Sequence, residues 1–500
     1  MTRHTSSLSS RPSLSASSPA STPISLTPLP TTLFPRLEIA RAVLDQAKQA
    51  SQATAWKLVH DHIFRWNLYY TKGAELEDVL QAERHDLTAT VYKKQTQKRQ
   101  DEKTGKKLMG ESSFPILSDN EEVMKKQVED ALFSCTLTDK DDFDIPDASH
   151  AVLPLVELAD PAIMAVAREK EEQGVHQLLF DLAARFIAEF GKYPHIKLNG
   201  MEINATLTKN RVMNSNEVDG SQTITEVYVE TVITSFDGEK ESEFFPSMTV
   251  SRISDVDVPA YVQKYVQYAN DVLISNPPTP YEGAVVLAGD AVPDFFAPHL
   301  DDAPLTTHTF ASTHYLGLSR YAKGKPVIPT MPVTSNSSSG DAITLINNPL
   351  VPLNPQSRRF DNDGVAAKRQ ILIDKGIFTG YIASKRFADY LHIPPTGPLG
   401  VIELSSGSSS MTTIYKEPCV EIVFFSSFVP NSLSGDFAAE IRLGYLHKDG
   451  KKIPFKGGMV SGNVFEAFAH VFFSKEETAV AGYQGPKAVR FENLTLSGRD

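Results

Sequence analysis

At 500 residues, with 41% hydrophobic and 22% charged side chains, the chain exceeds what one hydrophobic core serves and reads as two globular domains. A formal net charge of −12 excludes a broad phosphate-binding surface as its main purpose, because such surfaces draw on clustered Lys and Arg. With only Cys135 and Cys419, a disulfide framework and a CxxC metal cluster are excluded too. No run nears ~18 apolar residues, so the expectation is a soluble protein of a reducing, cytoplasmic compartment.

Residues 1–36 are rich in Ser, Thr and Pro, carry Arg3, Arg11 and Arg36, and hold no acidic residue. That composition fits a disordered tail or a transit peptide, the latter making the protein organellar; sparse Arg and helix-breaking Pro favour the tail. Residues 37–275 are expected to form an N-terminal α+β domain. In it, residues 40–70 show helical spacing through Trp56, Leu58, Ile63 and Trp66. His60 and His62 lie two apart, which a helix does not place on one face, so a packing or surface role is expected. Residues 87–115 read as strand, basic turn, strand, and 127–135 as helix. Asp139, Asp141, Asp142 and Asp144 lack the Gly and closing Glu of a calcium loop.

Residues 162–190 form one helix or two with Gly174 as the weak point, ended by Gly191 and Pro194. Strands follow around the turns at 214–220 and Asp237-Gly238, then an amphipathic helix over 259–274 opened by Asp257 and Pro259. Three prolines mark residues 275–281 as a linker. Beyond it, 281–500 reads as a twisted, mainly antiparallel β domain with helices at 386–391 and 464–473. The fold class is α+β, with N-terminal helices packed on a sheet.

Residues 427–463 carry the most informative pattern, a hairpin turning at Asp449-Gly450. Gly435 precedes its first strand, Gly457-Gly458 interrupts the second, and Gly462-Asn463 ends it. Glycine in a strand marks a bulge or a close backbone approach. Ser434, Gly435, Asp436, Gly457, Gly458, Gly462 and Asn463 are therefore the candidate wall of a groove that something extended lies against.

The order LSGDF, strand, Asp-Gly turn, strand, KGGMVSGN, helix and PKAVRFENLTLSG resembles the C-terminal domain of the TldD/PmbA family. Phe360-Asp361-Asn362-Asp363-Gly364, Arg369 with LIDKGIFTGYIAS, PPTPYEGAVVLAGD and the Asn214–Gly220 loop resemble further blocks of that family. The likeness spans residues 200–498. The family is known as zinc-dependent peptidases and their non-catalytic partners, and was once called modulators of DNA gyrase; the acidic charge lends that older label no support.

The resemblance implies that a hydrolytic member carries His-Glu-x-x-x-His on a helix, with a Cys ligand before the last strand. Here the corresponding window holds His299, His308 and His314, none followed by Glu, and no Glu occurs between Glu282 and Glu403. Tyr483 stands near where the cysteine would fall. The pattern resembles the PmbA (TldE-type) branch. It implies a chain that is not itself catalytic and binds no cofactor, paired with a zinc-bearing TldD-like subunit or with itself as a dimer, and processing unfolded peptides. The hairpin wall then becomes a peptide groove, to which an extended chain adds by backbone pairing, and Gly458→Val is expected to weaken processing without disturbing the fold. Two alternatives stay open: an autonomous metallopeptidase using a divergent site at His299, His308 and His314, and a non-enzymatic peptide-binding adaptor. No P-loop, dinucleotide fingerprint or Gly-x-Ser-x-Gly elbow is present.

Overall fold

The computed structural model describes residues 35–95, 107–138, 140–168, 174–297, 303–328 and 340–498. Its first half contains α1 (Pro35–Gln49), β1 (Ala55–Thr71), β2 (Glu75–Lys94), β3 (Leu108–Pro115), α2 (Glu121–Cys135), β4 (Lys140–Asp141), α3 (Pro161–Arg168) and α4 (Gly174–Phe190). β5 (Ile196–Asn214), β6 (Asp219–Phe236), β7 (Glu241–Phe244), β8 (Ser247–Val250) and α5 (Val258–Ile274) complete it. The strands form one antiparallel sheet in the order β4-β3-β2-β1-β5-β6-β7, with β8 also on β6. Asp257 caps α5 by accepting the N–H of Ala260, as the sequence suggested.

Residues 40–70 are not one helix. The helix stops at Gln49, and Ala55 to Thr71 is a long strand paired with β2 and β5. The buried positions Trp56, Leu58, Trp66 and Leu68 all share one parity, the period of a strand, and they are spread along both helix-covered ends of its face. Trp56 and Leu58 pack with α1 and α2, while Trp66 and Leu68 pack with α4. Between these clusters the same face carries His60 and His62, now side by side because alternate strand residues point one way. The expected helices at 127–135 and 259–274, and a pair divided near Gly174, are present.

The second half contains β9 (Tyr281–Ala288), α6 (Ala291–Phe296), α7 (Pro304–Thr307), α8 (Ala311–Tyr315), β10 (Leu345–Asn348), β11 (Gln370–Asp374), β12 (Ile377–Phe378), α9 (Lys385–Leu391), β13 (Val401–Leu404) and α10 (Met411–Ile414). β14 (Cys419–Pro430), β15 (Asp436–Lys448), β16 (Lys451–Phe455), β17 (Met459–Asn463), α11 (Val464–Ala467), β18 (Val471–Phe473), β19 (Glu477–Val480), β20 (Tyr483–Pro486) and β21 (Ala488–Ser497) follow. One sheet runs β12-β11-β10-β13-β20-β19. In the other, β14, β9, β21, β17 and β15 pair in turn and β15 returns to β14, closing a ring. Closure removes free edges from these five strands. The helix expected over 464–473 is shorter: a single turn and a 3-10 turn, after which Val471–Phe473 joins the sheet.

Strand pairing changes at the proline-rich linker, since the first sheet ends before it and the others begin after it. The apolar core does not change there. Val285 and Leu287 of β9 face the ring interior with Ile422, Ile441 and Phe491, whereas Ala284, Val286 and Ala288 pack with α5 and Tyr445. Burial on both faces explains why GAVVLA reads as a continuous apolar run.

Candidate functional site

The Asp449-Gly450 turn falls where the sequence placed it, both residues at positive φ (52° and 70°), as a tight hairpin between twisted strands requires. At one end of the hairpin, Asn431 Oδ1 accepts the N–H groups of Leu433 and Ser434. Ser434 Oγ donates to Asp436 Oδ2 at 2.7 Å, and Asn463 Nδ2 donates to Asp436 Oδ1 at 2.8 Å and to the Ser434 carbonyl at 2.9 Å. Asn463 also caps α11 through the Phe465 N–H. Bonds from Asn463 and Ser434 hold the exposed Asp436 carboxyl below its usual range, so it stays ionised.

Five of the seven candidate groove residues, Ser434, Gly435, Asp436, Gly462 and Asn463, meet here, with Asp436 opposite Asn463 and Phe437 opposite Gly462. Gly457 and Gly458 lie at the other end of β17, four residues or about 13 Å away. Most of these glycines answer to the protein's own packing. A Cβ on Gly435 would fall 2.4 Å from the Phe465 ring, one on Gly458 2.5 Å from the Ser497 carbonyl, and one on Gly462 2.7 Å from Leu494. Gly458→Val therefore cannot leave the fold undisturbed, contrary to the expectation from sequence. β17 is also paired on both sides, by β15 and β21, so no strand can add to it. Free edges in this half, among the described residues, lie at β12, β16, β18 and β19.

The histidines divide. His299 lies outside the described residues. His308 is buried: its Nδ1 accepts the Arg320 N–H at 3.2 Å, and its Nε2 donates to the Leu433 carbonyl at 3.0 Å. Both ring nitrogens are thus engaged with backbone, and burial pushes the imidazole down to about 4, keeping it neutral. His314 Nε2 donates to the His308 carbonyl at 2.8 Å, with its ring stacked on Phe378. Tyr483 is fully buried, stacks against Phe296, and donates to the Pro486 carbonyl at 3.1 Å. A zinc ion of the peptidase type does not fit His308, which has no lone pair left for it, and the buried, hydrogen-bonded Tyr483 offers no thiolate.

A cleft of about 440 Å³ opens on the other side of the first sheet, lined by Asp61, Arg65, Asn210, Glu226, Arg358 and Asp361. Its rim is the Phe360–Gly364 segment. Asp361 Oδ1 accepts the N–H groups of Asp363 and Val365, Asp363 pairs with Lys57 at 2.6 Å, and Gly364 (φ 88°) lies against Val218. These contacts dock the second half on the first. Burial, with the nearby Asp363 charge, pushes the Asp361 carboxyl well above the usual range. This marks the cleft as chemically distinct. Asp61 and Arg65 escaped sequence reasoning; their alternation with Phe64 and Trp66, read as strand, is the signal that would have found them.

Residues 337–498 match the model of the PmbA/TldA metallopeptidase C-terminal domain. Residues 337–498 therefore carry a PmbA/TldD-family C-terminal domain. A relative from Methanocaldococcus jannaschii, itself uncharacterized, is 26% identical over 273 residues, 52% of this chain and 60% of its own length. The chain therefore matches less than two thirds of that relative. Among solved structures, TldE from Thermococcus kodakarensis superposes with a TM-score of 0.70 at 17% identity, covering 92% of this chain and all of that one. A candidate modulator of DNA gyrase from Thermotoga maritima gives 0.72 at 15%, covering 92% and 100%. A similar protein from Bacteroides thetaiotaomicron gives 0.69 at 18%, covering 93% and 99%. At such identities the likeness is one of fold, and it extends the PmbA/TldD architecture across the α+β N-terminal half. No helix among the described residues is long and apolar enough to cross a membrane.

Proposed function

We propose that this chain is a TldE-type subunit of a peptide-processing assembly. It lacks a peptidase zinc site of its own and is completed by a TldD-type partner that brings the metal, or less specifically by a second copy of itself. The observation that carries this reading is the engagement of both His308 nitrogens with backbone, which leaves that imidazole no lone pair for a metal. The fold likeness to a protein named TldE agrees with it. A peptide substrate would be held by backbone pairing, which accepts many sequences. The closed ring directs that pairing away from β17 and toward β16 or β19, where Ile453 and Val480 are exposed. The candidate groove residues then act by shaping the Asn431–Asp436 turn, not by offering an edge. Two buried free cysteines suit a reducing, cytoplasmic compartment.

The test mixes the purified chain with a TldD-type subunit and follows cleavage of an unfolded peptide. Co-elution with cleavage exceeding that of either subunit alone is the expected result. Peptide binding or co-elution with no gain in cleavage would make the chain an adaptor. Cleavage by the chain alone, abolished by His308→Ala with His314→Ala, would establish the autonomous enzyme.

A further inference from the structure

His62 on β1 stands directly across from His85 on β2, and Phe64 across from Glu83, so three donor side chains converge on the helix-side face of the first sheet. Nε2 of His62 lies 2.6 Å from Glu83 Oε1, Nε2 of His85 lies 3.6 Å from the same oxygen, and all three donor atoms fall within 4.8 Å of one another. Two imidazole nitrogens and one carboxylate bound to zinc at ~2.0–2.1 Å would sit about 3.3 Å apart, so the present separations bracket the required geometry. A fourth group supports the arrangement. Nδ1 of His85 is 3.1 Å from Nε2 of His60. With the His85 Nε2 lone pair given to a metal, its Nδ1–H donates to His60, which fixes tautomer and ring orientation as outer partners of metal-bound histidines do.

The geometry points to a zinc-type divalent cation site held by His62, Glu83 and His85, with His60 as a positioning residue. The site occupies the gap between the α1/α2 and α4 packing clusters, at the root of the β1–β2 hairpin whose outer part (residues 75–84) is exposed. Side-chain exposures of 19, 54 and 28% for His62, Glu83 and His85 leave an ion free to enter, with a fourth position open to water or to a donor from another chain. One carboxylate supplies the negative charge, while Lys209 and Arg211 border the face in register with His62 and His60. The ion would brace the two strands where helices do not cover them. This inference is independent of the proposed function.

The test titrates ZnCl₂ into the full-length, tag-free, EDTA-stripped chain by calorimetry, with thermal unfolding alongside. One saturable zinc per chain and a raised Tm are expected. Glu83→Gln, at an exposed position that leaves the fold intact, should weaken binding at least tenfold, and His60→Ala should weaken it roughly 10- to 100-fold while keeping the stoichiometry. His62→Ala with His85→Ala should abolish it, and His314→Ala should leave it unchanged. Absence of saturable binding by the unmodified chain, or unchanged binding in both Glu83→Gln and the double variant, would overturn the assignment.

Discussion

Nε2 of His308 donates a 3.0 Å hydrogen bond to the carbonyl of Leu433, joining the histidine-bearing loop to the turn that opens the hairpin at Asp436. With Arg320 N–H on the other nitrogen, His308 is a strut. His308→Ala would remove both hydrogen bonds and leave a cavity at the buried imidazole, a loss of about 3 kcal/mol. Urea unfolding of the variant should show it, with zinc content unchanged. A loss of bound zinc with unchanged stability would reverse the roles.

Three of the hairpin glycines at positive φ, Gly435, Gly457 and Gly458, separate strain from collision. A Cβ added at Gly457 (φ 76°) would meet nothing within 4 Å, so Gly457→Ala should lose only about 1–2 kcal/mol to backbone strain. Gly435→Ala and Gly458→Ala add contacts of 2.4 and 2.5 Å with Phe465 and the Ser497 carbonyl, and should be clearly less stable. Equal melting temperatures for the three variants would contradict the packing account.

Glu421, buried on β14, accepts from His447 and Lys452 on Oε2 and from Tyr415 on Oε1, each at 2.8 Å. Burial alone would raise its pKa, but these partners outweigh burial and hold it below the usual carboxylate range. Its stabilising contribution is therefore present above the ordinary carboxylate pKa and lost as pH falls through the lower folded value. Glu421→Ala should lose about 3 kcal/mol near neutral pH, with the gap closing in acid. Unfolding midpoints across pH check this.

Asp361 has the opposite sign. Its raised folded pKa means the protonated form is favoured in the native state, so its contribution is complete below the ordinary carboxylate pKa and is lost as pH rises through the folded value. Asp361→Asn keeps the Oδ1 acceptor used by Asp363 and Val365. Comparing stability at about pH 5 and about pH 8, the variant should lose less on the alkaline side than the unmodified chain. A steeper loss in the variant would contradict burial as the cause.

Local signals carried much of the fold. Asp257 with Pro259, Asp449-Gly450 and the turn at 214–220 each fix geometry within a few residues, and each element formed where its residues pointed. β1 failed because Trp56, Leu58, Ile63 and Trp66 satisfy a helical period as well as any strand, and only pairing with β2 and β5 decides between them. That error hid two sites at once: the His60/His62 face and the Asp61/Arg65 cleft wall lie on opposite sides of this one strand. The glycines of the hairpin were visible, but what each faces depends on Phe465, Ser497 and Leu494, remote in sequence.

The most direct measurement is cleavage of an unfolded peptide by this chain alone, by a TldD-type subunit alone, and by the two mixed, each with zinc supplied. The account predicts no cleavage by this chain alone and a gain on mixing. Cleavage by this chain alone that persists in His62→Ala with His85→Ala and disappears in His314→Ala would contradict it.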